Sequence, residues 1–216
     1  MDYPVLLWDS KMIKNIFWDF DGVILDSMKI KADGFVELFK EYDNDKVSLL
    51  EKYHYQNGGV SRFEKIRYFY NEIIHKEISE EEIDPLAKEF AKIIEKKIYQ
   101  KNNLIQDSVD FIKQHYQKFN CHIVSGAEHK ELNELCEYFN LSKYFKTING
   151  SPTSKEILVM NILEKYDYKK DETILIGDAM TDYNAAIKND IQFYGYNNLE
   201  LKQYGYYIDS FKDFRI

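Results

Sequence analysis

The chain has 216 residues, 44% hydrophobic and 16% aromatic, which is enough apolar material to bury the core of one domain with a substantial insertion and too much for a disordered chain. A formal net charge of -8 argues against general binding to nucleic acid or to acidic membrane surfaces, although small anions stay open because a metal ion and one lysine reverse the field locally. Cys121 and Cys136 fall in apolar runs and read as buried thiols rather than a disulfide, no run approaches the ~20 apolar residues of a membrane span, and no signal-peptide pattern precedes the first strand, so a cytoplasmic protein is expected.

In chain order, residues 1–11 are expected to be an extension outside the core or upstream of the natural start, since Met12 immediately precedes the first apolar run. Residues 13–19 form the first predicted strand, which runs into Trp18-Asp19-Phe20-Asp21-Gly22-Val23-Ile24-Leu25-Asp26-Ser27. Strand side chains alternate faces, so Asp19 and Asp21 point the same way if the chain stays extended through Phe20 and turns at Gly22. Two adjacent carboxylates repel each other unless a cation or a shared proton relieves them. A hard divalent ion such as Mg²⁺ does so with oxygen ligands and also neutralises a phosphate.

From Ser27 to about Lys101 the spacing turns helical: Phe35, Phe39 and Tyr42, then Phe63, Ile66, Tyr70 and Ile73, then Leu86, Phe90, Ile93 and Ile94. Ser61-x-x-Glu64 and Ser79-x-x-Glu82 have the capping-box form, and Asp84-Pro85 is a further candidate start, so three or four helices are expected. The break in this stretch falls at Asn57-Gly58-Gly59, where a loop is expected.

Beyond it, residues 107–116 read as a helix and residues 121–124 as a strand ending at Ser125-Gly126. A helix with Leu132, Leu135 and Phe139 on one face follows, and then a short strand around Thr147-Ile148. Thr153-x-x-Glu156 reads as a capping box opening a helix with Ile157, Leu158 and Ile162 inward. A strand at residues 173–176 ends at Gly177-Asp178, with a helix at about residues 181–189, a strand at residues 191–194 and a last short strand near Tyr207-Ile208. The predicted fold class is α/β: a Rossmann-like parallel sheet covered by helices on both faces, with an inserted helical cap. The expected division is residues 1–26 and 102–216 for the core and 27–101 for the cap.

Ligands of open parallel sheets bind beyond the carboxyl ends of the strands, and every suspicious residue falls there. Asp19 and Asp21 follow the first strand, Ser125 the second, and Asp178 with Asp182 the fourth, while Lys155 heads a helix whose free N–H groups favour an anion. Singly, Ser125 reads as a turn residue, Lys155 as a solvated helix charge and Gly177-Asp178 as a loop. Their order and common location give them force together.

The string Asp19-Phe20-Asp21-Gly22-Val23, Ser125 after Ile123-Val124, Lys155, and Gly177-Asp178-Ala179-Met180-Thr181-Asp182 together resemble the four motifs of the haloacid dehalogenase superfamily. The helical insert is similar to the cap of its phosphatase and beta-phosphoglucomutase branch. There are two departures: Glu156 follows Lys155 where the family often has Pro, and Glu128-His129 stands where some relatives place a substrate-binding Lys.

The resemblance implies that Asp19 attacks phosphorus to give an aspartyl-phosphate and that Asp21 exchanges protons with the leaving group and water. It further implies Mg²⁺ held by Asp19, Asp178 and the main-chain carbonyl of Asp21, with Asp182 in support. Lys155, Ser125, Gly22 and Gly126 would border the phosphoryl group. Gly58-Gly59-Val60-Ser61-Arg62 is similar to a cap segment of the beta-phosphoglucomutases, so Arg62 is a candidate substrate ligand and a surface arginine beside a helix cap is the alternative. Asp26 and Ser27 read as shaping the loop into the cap rather than touching substrate, and His54 as an ordinary cap-helix residue, with a substrate contact as its alternative.

The expected function is hydrolysis of a small phosphorylated metabolite, with a phosphomutase as runner-up and a non-catalytic phosphate-binding module third. Dehalogenation is disfavoured by Asp21, and dinucleotide binding by the lack of G-x-G-x-x-G after the first strand.

Overall fold

A computed structural model describes residues 12–216; the extension expected at residues 1–11 lies outside them. Six strands, β1 (Asn15–Trp18), β2 (Asn120–Glu128), β3 (Thr147–Ser151), β4 (Thr173–Gly177), β5 (Gln192–Tyr196) and β6 (Tyr206–Ile208), form one sheet in the order β3-β2-β1-β4-β5-β6. Every neighbouring pair is parallel. The helices are α1 (Met28–Leu38), α2 (Asn44–Gln56), α3 (Arg62–Tyr68), α4 (Glu80–Ile98), α5 (Gln106–His115), α6 (His129–Tyr138), α7 (Lys155–Tyr166) and α8 (Met180–Lys188).

The alternation of β1 divides the core into two layers. Ile16 and Trp18 pack with Ile123, Ile174 and Ile176 against Val109, Phe111 and Ile112 of α5 and Leu132 and Leu135 of α6. Phe17, pointing the other way, packs with Val124 and Leu175 against Leu158, Val159 and Ile162 of α7 and Ala185 and Ala186 of α8. A strand apolar on both sides belongs in the middle of a parallel sheet, and β1 pairs with β2 on one flank and β4 on the other. The strand order reverses direction at β1, so a crevice opens beyond its carboxyl end.

Of the helices between β1 and β2, α5 packs on the sheet, and the insert α1 to α4 packs on itself through Phe35 against Phe90 at 4.3 Å between ring centroids and Phe39 stacked on Phe69 at 4.0 Å. There are four helices here. α2 had no apolar stripe that stood out, since it buries only Val47, Leu50 and His54. Pro85 does not open a helix but lies inside α4, whose start is set upstream where Glu82 accepts hydrogen bonds from the Ser79 N–H and hydroxyl, both at 2.9 Å. This reciprocal cap outweighs the single early hydrogen bond that the proline removes.

Two more expectations shift. Ser154 rather than Thr153 caps α7, so Lys155 is its first residue and Ile157 turns outward, 46% exposed. β2 does not end at Ser125 but continues to Glu128, with its register to β3 slipping between Val124 and Glu128. A slip of that kind re-aims side chains at a strand end.

Candidate active site

The register of β1 against β4 pairs Trp18 with Ile176, and the Asp19 N–H donates to the Ile176 carbonyl at 2.9 Å, so β1 delivers Asp19 to the level where β4 delivers Gly177 and Asp178. Beyond Asp19 the chain folds into a tight loop in which Ile24 and Leu25 both donate to the Phe20 carbonyl. Gly22 there has a φ of +77°, and a Cβ on it would fall 1.9 Å from an Asp178 carboxylate oxygen. Only glycine lets the two loops approach this closely. Asn197 and Asn198 pin them from a third side, donating to the Gly22 carbonyl at 3.0 Å and the Asp178 carbonyl at 2.8 Å.

Asp19 is buried, 1% exposed, and one of its oxygens accepts the Phe20 N–H at 2.7 Å while the other lies 3.1 Å from Lys155 Nζ. Lys155 also bonds the Asp182 carboxylate, whose second oxygen accepts the Ala179 N–H at 3.0 Å. Carboxylate oxygens of Asp19, Asp178 and Asp182 all lie within 4.8 Å of one another. Burial, followed by the Asp182 charge, pushes Asp19 up to about 7; burial and the Asp19 charge push Asp178 well above the usual carboxylate range. Burial alone would lower Lys155, but Asp182 and Asp19 outweigh it and hold the ammonium. Three converging carboxylates with one ammonium between them are an electrostatic deficit, and the all-oxygen donor set is the kind that a hard divalent cation takes.

The Asp21 carboxylate stands apart from that cluster. It accepts from the Ser27 hydroxyl at 2.5 Å and from Lys31. Burial would raise it, but Lys31 and Ser27 outweigh burial and hold it below its ordinary value. Two aspartates two residues apart therefore occupy opposite environments. That separation suits two roles, one group bonding to an electrophile and one carrying a proton.

Ser125 is buried at the slipped segment of β2, its hydroxyl accepting the Ala127 N–H at 3.2 Å. Gly126 meets the α2–α3 loop: a Cβ on it would lie 2.1 Å from the Gly59 carbonyl oxygen. A Cβ on Gly59 would lie 1.8 Å from Thr181 Oγ1 and 3.4 Å from Lys155 Nζ. That hydroxyl is buried beneath the loop and has no hydrogen-bond partner among the described residues.

The structure thus brings together Asp19, Asp21, Gly22, Ser125, Gly126, Lys155, Asp178 and Asp182. Arg62 is not a surface residue. It is buried at the start of α3, ion-paired to Glu131 of α6, with its guanidinium 5.1 Å from the centre of the Phe90 ring. Residues that the motif reading passed over are Lys31, Lys65 and Glu131. The available signal was Arg62 and Lys65 three apart on one short helix, a spacing that puts two cations on one face. Ser27 and His54 hold site residues: Ser27 bonds Asp21, and His54 bonds Lys65.

A family model of haloacid dehalogenase-like hydrolases matches residues 16–196. Among solved structures, the fold is similar to a predicted phosphatase from Clostridium acetobutylicum, with a TM-score of 0.73 and 20% identity, covering 94% of this chain and 96% of that one. It is also similar to beta-phosphoglucomutase from Clostridium difficile, TM-score 0.73 and 20% identity, over 95% and 94% of the two chains. A Rhodobacter sphaeroides protein solved in complex with xylulose-(1,5)bisphosphate aligns with a TM-score of 0.73 and 15% identity, over 94% and 96%. No curated protein matches the chain, and no helix among the described residues is long and apolar enough to cross a membrane.

Proposed function

This chain belongs to the haloacid dehalogenase-like hydrolases, and from that membership we propose that it is a Mg²⁺-dependent phosphatase of a small phosphorylated metabolite, working through an aspartyl-phosphate. The observation that carries the reading is geometric: carboxylate oxygens of Asp19, Asp178 and Asp182 converge within 4.8 Å of one another beside Lys155, while the Asp21 carboxylate is held apart from them by Ser27 and Lys31.

Asp19, Asp178 and the main-chain carbonyl of Asp21 would hold the ion, with Asp182 steadying Lys155 beside it. When bound, the ion neutralises the carboxylate cluster and the phosphoryl charge. A carboxylate oxygen of Asp19 attacks phosphorus in line, the new O–P bond forms as the ester O–P bond breaks, and the leaving oxygen takes a proton from Asp21. Water then attacks the aspartyl-phosphate and gives its proton to Asp21, releasing phosphate and restoring Asp19. Lys155 and the Ser125 hydroxyl donate to the phosphoryl oxygens throughout. Lys31 and Ser27 favour the base form of Asp21, so the proton that it gives the leaving oxygen has to be taken up as the monoester binds, and the proton from water restores that acid form at the end of the cycle.

Helices α1 to α4 act in this reading as a cap on a core made of the remaining described residues, with Gly58 and Gly59 closing over the strand ends. One observation favours a phosphomutase as the second reading. With Gly59 against Thr181, the cavity beside Asp21 has a volume of about 20 Å³, room for roughly one water, and a mutase must keep water from the phospho-enzyme. A phosphate-release screen of phosphorylated metabolites with and without Mg²⁺ separates the two. Mg²⁺-dependent release supports the phosphatase, and interconversion of sugar phosphates without release overturns it.

A further inference from the structure

The cavity beside Asp21 is walled by Lys31, His54, Arg62 and Lys65 together with the rings of Phe35 and Phe90. Three cations around so small a space call for a charge count. Lys31 is matched by Asp21, and Arg62 by Glu131. Lys65, only 2% exposed, has no carboxylate partner among the described residues: its ammonium donates to His54 Nδ1 at 2.9 Å and reaches the Gly58 carbonyl at 3.5 Å.

The histidine cannot supply the missing charge. His54 Nε2 lies 2.9 Å from the Met28 carbonyl and must carry the hydrogen there, which leaves Nδ1 as the bare acceptor for Lys65. Burial, followed by the Lys65 charge, drives His54 down to about 3, so it stays neutral. Burial, with the Lys31 charge next, likewise pulls Lys65 down to about 7. An ammonium has three donors, and His54 and Gly58 take two. The chain therefore buries an amine whose direction a histidine fixes, with Asp21 and Asp178 acting on it only from beyond hydrogen-bond reach and with one ammonium donor left over. Such a group is costly unless an anion completes it. The walls of this cavity, Asp21 and Gly126 among them, would border a leaving group, for which a space of about 20 Å³ would have to widen.

We propose that Lys65, oriented by His54, determines specificity by binding a second anionic group, a carboxylate or a phosphate, carried by the leaving portion of the substrate. The proposal rests on the phosphatase reading above and names its substrate class. A neutral leaving group of the same length leaves Lys65 uncompensated in the closed site, whereas an anionic one completes the charge pairing. A charge-assisted hydrogen bond of this kind corresponds to about tenfold to a hundredfold in kcat/KM.

The test uses two matched ester pairs with Mg²⁺: ethyl phosphate against 2-phosphoglycolate, and propyl phosphate against propane-1,3-diol bisphosphate. The wild type is expected to prefer the anionic member of at least one pair by about tenfold or more; the first pair reports a carboxylate and the second a phosphate. Lys65→Met is expected to collapse that ratio, mainly through KM, and Lys65→Arg to retain much of it. No preference in the wild type, or a ratio unchanged in a folded Lys65→Met, overturns the proposal. Should none of the four esters release phosphate, the hydrolytic reading fails on its own. Calorimetric binding of 2-phosphoglycolate and ethyl phosphate then still decides Lys65: tighter binding of the first that Lys65→Met abolishes supports it, and equal binding overturns it.

Discussion

Gly126 and Gly59 meet main chain to main chain, so closely that a single methyl group on Gly126 would lie 2.1 Å from the Gly59 carbonyl oxygen. One glycine belongs to β2 of the sheet and the other to the loop between α2 and α3, and their contact brings that loop over Lys155 and Thr181. Gly126→Ala should hold the loop off the strand ends. The expected result is a loss of about a hundredfold in kcat/KM, the scale of a 1 Å misplacement, with thermal unfolding little changed. Full activity in this variant would show that the contact is not needed for turnover.

Asp19→Asn keeps the shape of the side chain and the Phe20 N–H contact but removes the charged oxygen beside Lys155. Turnover is expected to vanish while the circular dichroism spectrum is preserved. Near wild-type hydrolysis by a folded Asp19→Asn protein would remove Asp19 as the nucleophile.

The carboxylate cluster of Asp19, Asp178 and Asp182 predicts stabilisation by metal. A ligand that binds only the folded state adds about 2.7 kcal/mol at a hundredfold excess over Kd. Millimolar Mg²⁺ should therefore raise Tm in the wild type, and EDTA should reverse the rise. In Asp178→Asn the shift should shrink or disappear. An equal shift in both proteins would place the ion elsewhere.

His122 predicts an acid-side stability loss unconnected with catalysis. It is fully buried, with Nδ1 2.7 Å from the Thr147 hydroxyl and Nε2 3.1 Å from the Tyr168 hydroxyl, and burial, assisted by Lys146 and Lys165, lowers it to about 4. A folded value below the unfolded value of 6.5 means that the unfolded chain takes the proton first, so stability is intact above pH 6.5 and falls as pH drops towards 4. By pH 4.5 the loss from this residue is about 2–3 kcal/mol. Urea unfolding of His122→Gln should show a shallower decline between pH 7 and 4.5, and a slope parallel to the wild type would contradict it.

Arg62 and Glu131 predict a coupling across the contact between α3 and α6. Removing either partner leaves the other charge buried alone, at a cost of about 3 kcal/mol or more. Arg62→Ala and Glu131→Ala should each lower the free energy of unfolding, and the double variant should lose much less than their sum. Additive losses would show that the pair is not coupled.

The sequence by itself determined the layout. Short apolar runs that switch to helical spacing make a parallel sheet with helices on both faces, because each strand near the middle must bury two sides and each helix one. The positions of Asp19, Lys155 and Asp178 were legible for a related reason: they follow strand ends or head a helix, and the fold gathers those ends at one edge of the sheet, where the register slip of β2 also places Ser125. Capping residues placed α3 and α4 through local bonds at Ser61 and Ser79, whereas Pro85 misled because its effect depends on the cap upstream.

What only the tertiary structure decided are pairings between distant segments. Arg62 meets Glu131 across 69 positions of sequence, and Lys65 turns towards the Asp21 side of the crevice rather than outward from α3. No periodicity carries such information. On a helix of seven residues the inward face is chosen by what docks against it, and here that is the β2 end of the sheet with the first turn of α6. Docking pairs Arg62 with Glu131 while keeping it on the wall of the cavity beside Asp21, and leaves Lys65 buried with no ion pair among the described residues.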